Sequence, residues 1–139
     1  MKLSAALPYR SVLVCPTVPA SVALARRTAE MTYVVSWGVD PGHQAFGPAL
    51  LMLSELVTNT VRHAAAVSPQ VTVTYAAGPA ALAFGVHDRH PHQPDPARFG
   101  AGSGGLRLIA ELTAELRGGC TVLPDADGGG KAMWISLPI

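Results

Sequence analysis

This chain carries little charge of either sign: ten Lys and Arg against nine Asp and Glu in 139 residues, a net charge of +1 with neutral histidines. No broad basic footprint is present, so direct nucleic-acid binding is not expected. Cysteine is equally scarce. Cys15 and Cys120 lie far apart and fit no metal or disulfide framework. They read as buried thiols of a reducing cytosol, which points to a cytoplasmic protein. No apolar run approaches the length that spans a membrane. Lys2 followed by Leu-Ser-Ala-Ala-Leu starts like a secretion signal, but Pro8, Tyr9 and Arg10 end it too early. A Walker A loop is missing too, because Gly130-Lys131 is followed by Ala132 and Asp125 stands where that pattern needs a glycine. Ala101-Gly-Ser-Gly-Gly105 resembles a variant nucleophile elbow around Ser103. The serine–acid–histidine order of that fold fails here, since no histidine follows His92.

What the chain does have is apolar residues, 49% of the total, enough to exclude disorder over most of its length. Its size suits one domain, residues 1–139, with a single core. Tyr9–Cys15 is a β-rich run stopped by Pro16, an expected edge strand. Pro19-Ala-Ser21 opens a helix that runs to Trp37, with Gly38 placed to end it. Asp40-Pro41 suits the start of a second helix, which Pro48 should break or kink, leaving a segment that ends near Ala66. Val71–Tyr75 alternates with period two, and Ala81–His87 follows a Gly-Pro turn, giving a hairpin. Residues 89–103 read as loop, Leu106 to about Leu116 as helix, and Glu115–Leu123 with Lys131–Leu137 as a second hairpin. The order β-α-α-β-β-α-β-β predicts an α+β, two-layer sandwich with helices on one face of a mostly antiparallel mixed sheet.

One helix carries the chemistry. In Leu50–Ala66 the residues Leu50, Leu53, Val57, Val61 and Ala64 make an apolar stripe at about 100° per residue. Glu55 and Asn59, one turn apart, fall on the other side with Arg62 and His63, flanked by Met52 and Leu56. A carboxylate and a carboxamide thus face one volume of space, either as a solvated surface or as the border of a pocket. Gly100-Ala-Gly-Ser-Gly-Gly105 opens a helix. Its amides suit a phosphate, and the alternative is a plain hinge. The cluster spells G-x-G-x-x-G, yet a Pro-rich loop precedes it where the dinucleotide motif needs a strand. His87, His90 and His92 share no face, so a solvated loop is the simpler reading than a metal site. Asp88 ends an apolar strand, where a carboxylate can accept a hydrogen bond from an exocyclic amine or can cap a turn.

Taken in order, these segments resemble the GHKL, or Bergerat-fold, ATPases, and among them the small anti-sigma-factor and serine-kinase regulators of actinobacterial kind. Ser54-Glu-Leu-Val-Thr-Asn-Thr-Val-Arg-His-Ala64 is similar to that family's N-box and is the most specific match. Val86-His-Asp88 resembles the strand with the adenine-reading aspartate, Gly104-Gly-Leu-Arg-Leu-Ile109 the second glycine box, and Gly130–Pro138 the closing strand. The resemblance implies ATP and Mg²⁺ as cofactors. It implies Asn59 as the Mg²⁺ ligand, Glu55 as the general base, and Asp88 as the adenine reader. His63, Gly102, Gly104, Gly105 and Leu106 would border the phosphates and their lid. It implies a protein serine/threonine kinase whose partners are a sigma factor or its antagonist, with homodimers known in the family and no membrane attachment. A module that regulates by stoichiometric binding alone is the alternative. Two departures stand out. The family's D-x-G-x-G pattern is replaced after Asp88 by Arg-His-Pro-His, and Ser103 stands where a glycine is usual. Arg89, Arg98 and Arg107 are the loop's candidates to neutralise phosphate.

Overall fold

A computed structural model describes residues 7–102 and 104–139. The signal-like start, apart from Leu7, and Ser103 with the elbow reading lie outside the described residues. Strand β1 is Tyr9–Pro16 and helix α1 is Ala20–Glu30, continued by a wider π-helical turn over Met31–Ser36. Helix α2 is Phe46–Ala64, β2 is Gln70–Ala77 and β3 is Ala81–Asp88. A 3₁₀ turn at Pro96–Ala101 precedes α3, Gly105–Glu115, and the chain closes with β4, Gly119–Pro124, and β5, Lys131–Pro138.

The sheet order is β1-β2-β3-β5-β4, and every pairing is antiparallel. The strand between β3 and β4 is therefore the last one in sequence. This placement sets the end of β3 beside the start of β5, with Asp88 directly across from Lys131. β1 lies on an edge, as its terminal proline suggests. The helices cover one face. Leu53, Leu56 and Val57 of α2, Ile109 of α3 and Ala25 and Ala29 of α1 meet Val73, Phe84, Val86 and Ile135 of the sheet in one buried core. Burial of the Leu, Val, Ile and Phe side chains supplies about 1.5–3 kcal/mol each. On the other face Leu7, Ala76, Ala83 and Trp134 form a smaller cluster. Its indole lies over Gly85, where a Cβ would come within 2.5 Å of the ring. β3 is thus buried on both faces, which is why it reads as continuous small and apolar residues rather than as an alternation.

The π-helical turn stitches α1 into that core. Trp37 N–H donates to Thr32 O at 3.1 Å, five residues back. Tyr33, fully buried, packs edge-on against Phe46, Trp37 and Tyr75. Its hydroxyl donates to Ala83 O, and that of Tyr75 donates to Ala25 O at 2.7 Å. Burial raises the pKa of both phenols, so each stays a neutral donor.

Several boundaries differ from expectation. Asp40 does not start a helix. Its carboxylate accepts Gly42 N–H at 2.8 Å in a local turn, and α2 begins at Phe46. Pro48 is then the third residue of α2, where a backbone N–H has no intrahelical acceptor, so it produces no kink. α2 ends at Ala64 rather than Ala66. The segment 89–103 is not all loop, because Asp95 accepts Ala97 N–H at 3.0 Å and starts the 3₁₀ turn. β4 starts at Gly119, four residues later than read. Arg117 adopts a left-handed backbone (φ 59°), and a Cβ on Gly118 would overlap Ser136 O. That pair turns the chain tightly from α3 into the sheet.

Candidate functional site

The polar side of α2 is not a solvated face. Glu55, Thr58 and Asn59 are half-buried and Thr60 is buried, while the last turn, with Arg62 and His63, is open to water. The reason is α3, which packs along this side and closes over Glu55. A Cβ on Gly105 would overlap the Glu55 carboxylate. Glycine at the first residue of α3 lets the helix close on the acid, and the positive end of that helix faces it. Gly104, with φ 66°, makes the bend that leads into it, and its carbonyl accepts Leu108 N–H at 3.1 Å.

Past Asn59 the two layers separate into a cleft of about 280 Å³. Asn59, Thr60, His63 and Ala64 of α2 form one wall, and Leu106 of α3 with His90, His92 and Pro94 forms the other. Asp88, Lys131 and Met133 make its floor. A second hollow of about 400 Å³ adjoins it, sharing His92, Pro94 and Leu106 and adding Arg98, Phe99 and Gly102. Asn59, His63, Asp88 and Leu106 are thus brought together as residues of one cleft. Gly102 borders the adjoining hollow. Glu55 and Gly105 meet each other beside the cleft rather than lining it.

The floor is the least expected part. Asp88 and Lys131 are both buried, at 5% and 6% exposure, and Lys131 Nζ donates to Asp88 Oδ1 at 2.6 Å. Thr60 Oγ1 donates to Oδ2 at 3.1 Å, and His90 N–H donates to Oδ1 at 3.0 Å. Asp88 therefore does both things its position allows: it caps the turn into the loop and it faces the cleft. Ions this dry persist only with a partner and extra hydrogen bonds, and this carboxylate has three. The sequence reading missed Lys131 and Thr60. A lysine opening an otherwise apolar strand, in register with a terminal aspartate, was the available signal for the first.

The histidines divide. His87 points away and its Nε2 lies 2.9 Å from both oxygens of Asp125. His90 is half-buried and His92 is exposed, in keeping with a solvated loop, but both also line the cleft, with ring centroids 6.4 Å apart and His92 N–H donating to His90 Nδ1. Among the described residues no group of three or more His, Cys, Asp or Glu side chains is arranged to hold a metal. Asn59 offers one hard oxygen, which suits Mg²⁺, an ion that keeps several waters and takes its other ligands from phosphate.

The loop cations are largely engaged elsewhere. Arg89 pairs with Asp125 and with Asp127, at 2.5 and 2.9 Å, and Arg107 pairs with Glu111 at 3.1 Å. Contact with these carboxylates raises the Arg89 pKa. The His87 hydrogen bond, then Arg89, lowers that of Asp125, and Arg89 with Gly129 N–H lowers that of Asp127 to about 2. Arg98 makes no ion pair among the described residues and sits in the adjoining hollow.

No family model matches this chain, and no curated protein matches it. Solved structures do. A histidine kinase domain from the Erythrobacter litoralis EL346 blue-light activated histidine kinase superposes with a TM-score of 0.56 at 20% identity, over 88% of this chain and 61% of that one. This chain therefore spans less than two thirds of that domain. The SiaB–SiaC complex from Pseudomonas aeruginosa gives a TM-score of 0.53 at 16% identity, over 93% of this chain and 89% of that one. At such identities the likeness is one of fold alone, between this five-stranded antiparallel sheet with helices on one face and a histidine kinase domain. No helix among the described residues is long and apolar enough to cross a membrane.

Proposed function

We propose that the chain is a cytoplasmic regulator that binds Mg²⁺-ATP in this cleft and phosphorylates a serine or threonine on a small antagonist protein, exchanging that partner with a sigma factor. The observation that carries the reading is the convergence of Asn59, His63, Asp88 and Leu106 on one cleft, with Glu55 held beside it against the start of α3. A histidine-kinase domain and a protein crystallised in complex with a partner share its fold, which fits a nucleotide-using, partner-binding regulator.

In this reading Asn59 holds Mg²⁺ through its carboxamide oxygen, and the Asp88 carboxylate accepts from the adenine amine. With ATP bound, Glu55 would take the proton of the incoming hydroxyl as that oxygen displaces ADP from the terminal phosphorus. Such a transfer depends on positioning and charge neutralisation more than on covalent chemistry by the protein. The test is calorimetric titration with ATP, with and without Mg²⁺, on the wild type and Asn59→Ala. Saturable Mg²⁺-dependent binding that falls at least about tenfold in the variant is expected, since a lost hydrogen bond or ligand to a charged group is worth roughly 1.5–3 kcal/mol. Equal affinity in the variant would remove Asn59 from the metal.

One observation favours a second reading, in which the cleft regulates by stoichiometric contact without phosphotransfer. Arg89 and Arg107 are both tied into ion pairs of their own, leaving Arg98 and the imidazoles to meet phosphate. Transfer of labelled phosphate from ATP to a co-purified partner, lost in Glu55→Ala with ATP binding retained, separates the two.

A further inference from the structure

We propose that Lys131 is a specificity-determining residue of the cleft: together with Asp88 it presents a donor–acceptor pair that reads ring nitrogen N1 and the exocyclic amine of adenine. The inference rests on the nucleotide reading above and deepens it.

The argument is one of hydrogen-bond capacity. A carboxylate has about four lone-pair sites and an ammonium three N–H donors. At Asp88, Oδ1 is filled by Lys131 Nζ and His90 N–H, while Oδ2 receives only the Thr60 hydroxyl. One acceptor site remains, on Oδ2. At Lys131, Asp88 is the one hydrogen-bond partner of Nζ among the described residues, which leaves two donors. Both side chains are more than nine-tenths buried, and both belong to the cleft floor. A buried ammonium with two idle N–H groups is costly unless a ligand or water takes them. The register explains why the two groups act together. Asp88 and Lys131 are directly opposed on antiparallel strands, so their side chains leave the sheet on the same face.

A ligand that satisfies this pair carries an acceptor and an N–H donor side by side. The N1 and N6 edge of adenine does so. Guanine reverses this order: in the same pose it sets N1–H against the Lys131 ammonium and O6 against the Asp88 carboxylate, so donor meets donor and acceptor meets acceptor. Replacing N1 by C–H leaves the Lys131 donor facing carbon, and a charged donor so stranded weakens binding by about tenfold or more.

The test uses the wild-type chain with ATP, 1-deaza-ATP, 7-deaza-ATP and GTP, titrated calorimetrically. ATP and 7-deaza-ATP should bind alike, and 1-deaza-ATP and GTP at least about tenfold more weakly. Because Lys131→Met strands a buried carboxylate, the paired variant Asp88→Asn/Lys131→Met is titrated beside Asp88→Asn. The single variant leaves the ammonium only a carboxamide oxygen, so its folding is checked first by urea titration; folded, it should keep the preference for ATP over 1-deaza-ATP, and the paired variant should lose it. Equal binding of ATP and 1-deaza-ATP by the wild type overturns the role of Lys131 while leaving the nucleotide reading intact. So does a preference that survives in the paired variant, which would assign N1 to a water. GTP binding as tight as ATP overturns the adenine assignment. A wild type that binds none of the four overturns the nucleotide reading itself, and this inference with it.

Discussion

Asp88 and Arg89 are neighbours in the chain and opposites in the fold. Asp88 turns inward to a dry ammonium and faces the cleft. Arg89 turns outward and grips two carboxylates of the β4–β5 turn, Asp125 and Asp127, with its side chain 45% exposed. Both contacts tie the end of β3 to the β4–β5 hairpin. They differ in what water does to them. Outside, solvent screens the charges and replaces any lost partner at little cost. Inside, nothing replaces a partner, so the pair acts as an all-or-none unit whose members can be traded only for a ligand or for each other. The inner pair is therefore where function is expected, and the outer cluster is a brace for the loop that carries His90 and His92.

The largest effect that breaks this comparison is Lys131→Met. It leaves Asp88 charged and buried with Thr60 and His90 N–H alone, and the expected loss is about 3–5 kcal/mol of unfolding free energy in urea titration. Asp88→Asn/Lys131→Met should recover most of that loss, because no buried charge remains. If the single variant is as stable as the wild type, the floor is wetter than its burial indicates and the contrast with Arg89 disappears.

A smaller effect sharpens it by placing the same substitution in both settings. Gly105 and Gly129 each sit where a Cβ would overlap a charged side chain, Glu55 in one case and Arg89 in the other. Gly105→Ala meets the end of Glu55 and also its Cβ, 3.3 Å away, beneath the packed α3. A loss of about 1 kcal/mol is expected, relieved when Glu55→Ala is added, since the two are in contact and should couple. Gly129→Ala meets a guanidinium that can swing into water, and its loss should be distinctly smaller. Equal losses would show that the helix interface is as yielding as the surface.

How much of this was legible beforehand follows the same inside–outside division. The period-two strands, the apolar stripe of α2 and the Gly38 stop were readable because each is a local pattern, and the five strands and three helices came out in the expected order. The helix start at Phe46 was hidden because Asp40 uses its carboxylate for a turn rather than a cap, a choice the local residues leave open. The grouping of Asn59, His63, Asp88 and Leu106 was readable only through the family resemblance, since nothing local links α2 to the end of β3. The half-burial of Glu55 depends on α3 packing over it through Gly105, a contact between segments fifty residues apart. Lys131 was missed for a related reason. Its partner is set by a sheet order in which the last strand inserts between β3 and β4, and that order is a property of the whole chain.

The smallest effect concerns the outer cluster and its pH dependence. Asp125 and Asp127 have folded pKa values lowered from the ordinary 3.8, Asp127 to about 2. A carboxyl with a depressed folded pKa contributes stability that is fully present above the unfolded value and is lost as pH falls through the folded one. The brace should therefore hold down to about pH 4 and release between about pH 4 and pH 2. Arg89→Met removes the one partner the two acids share and leaves Asp125 its His87 contact and Asp127 the Gly129 N–H, so its cost at neutral pH should be slight, should shrink further in high salt, and should vanish near pH 2. Urea midpoints of wild type and variant across that window supply the check. Curves that stay parallel down to pH 2 would mean the acids are held by something other than Arg89. A large loss at neutral pH would mean that the exposed cluster carries the weight assigned here to the buried pair, and the difference between the two neighbours would have to be redrawn.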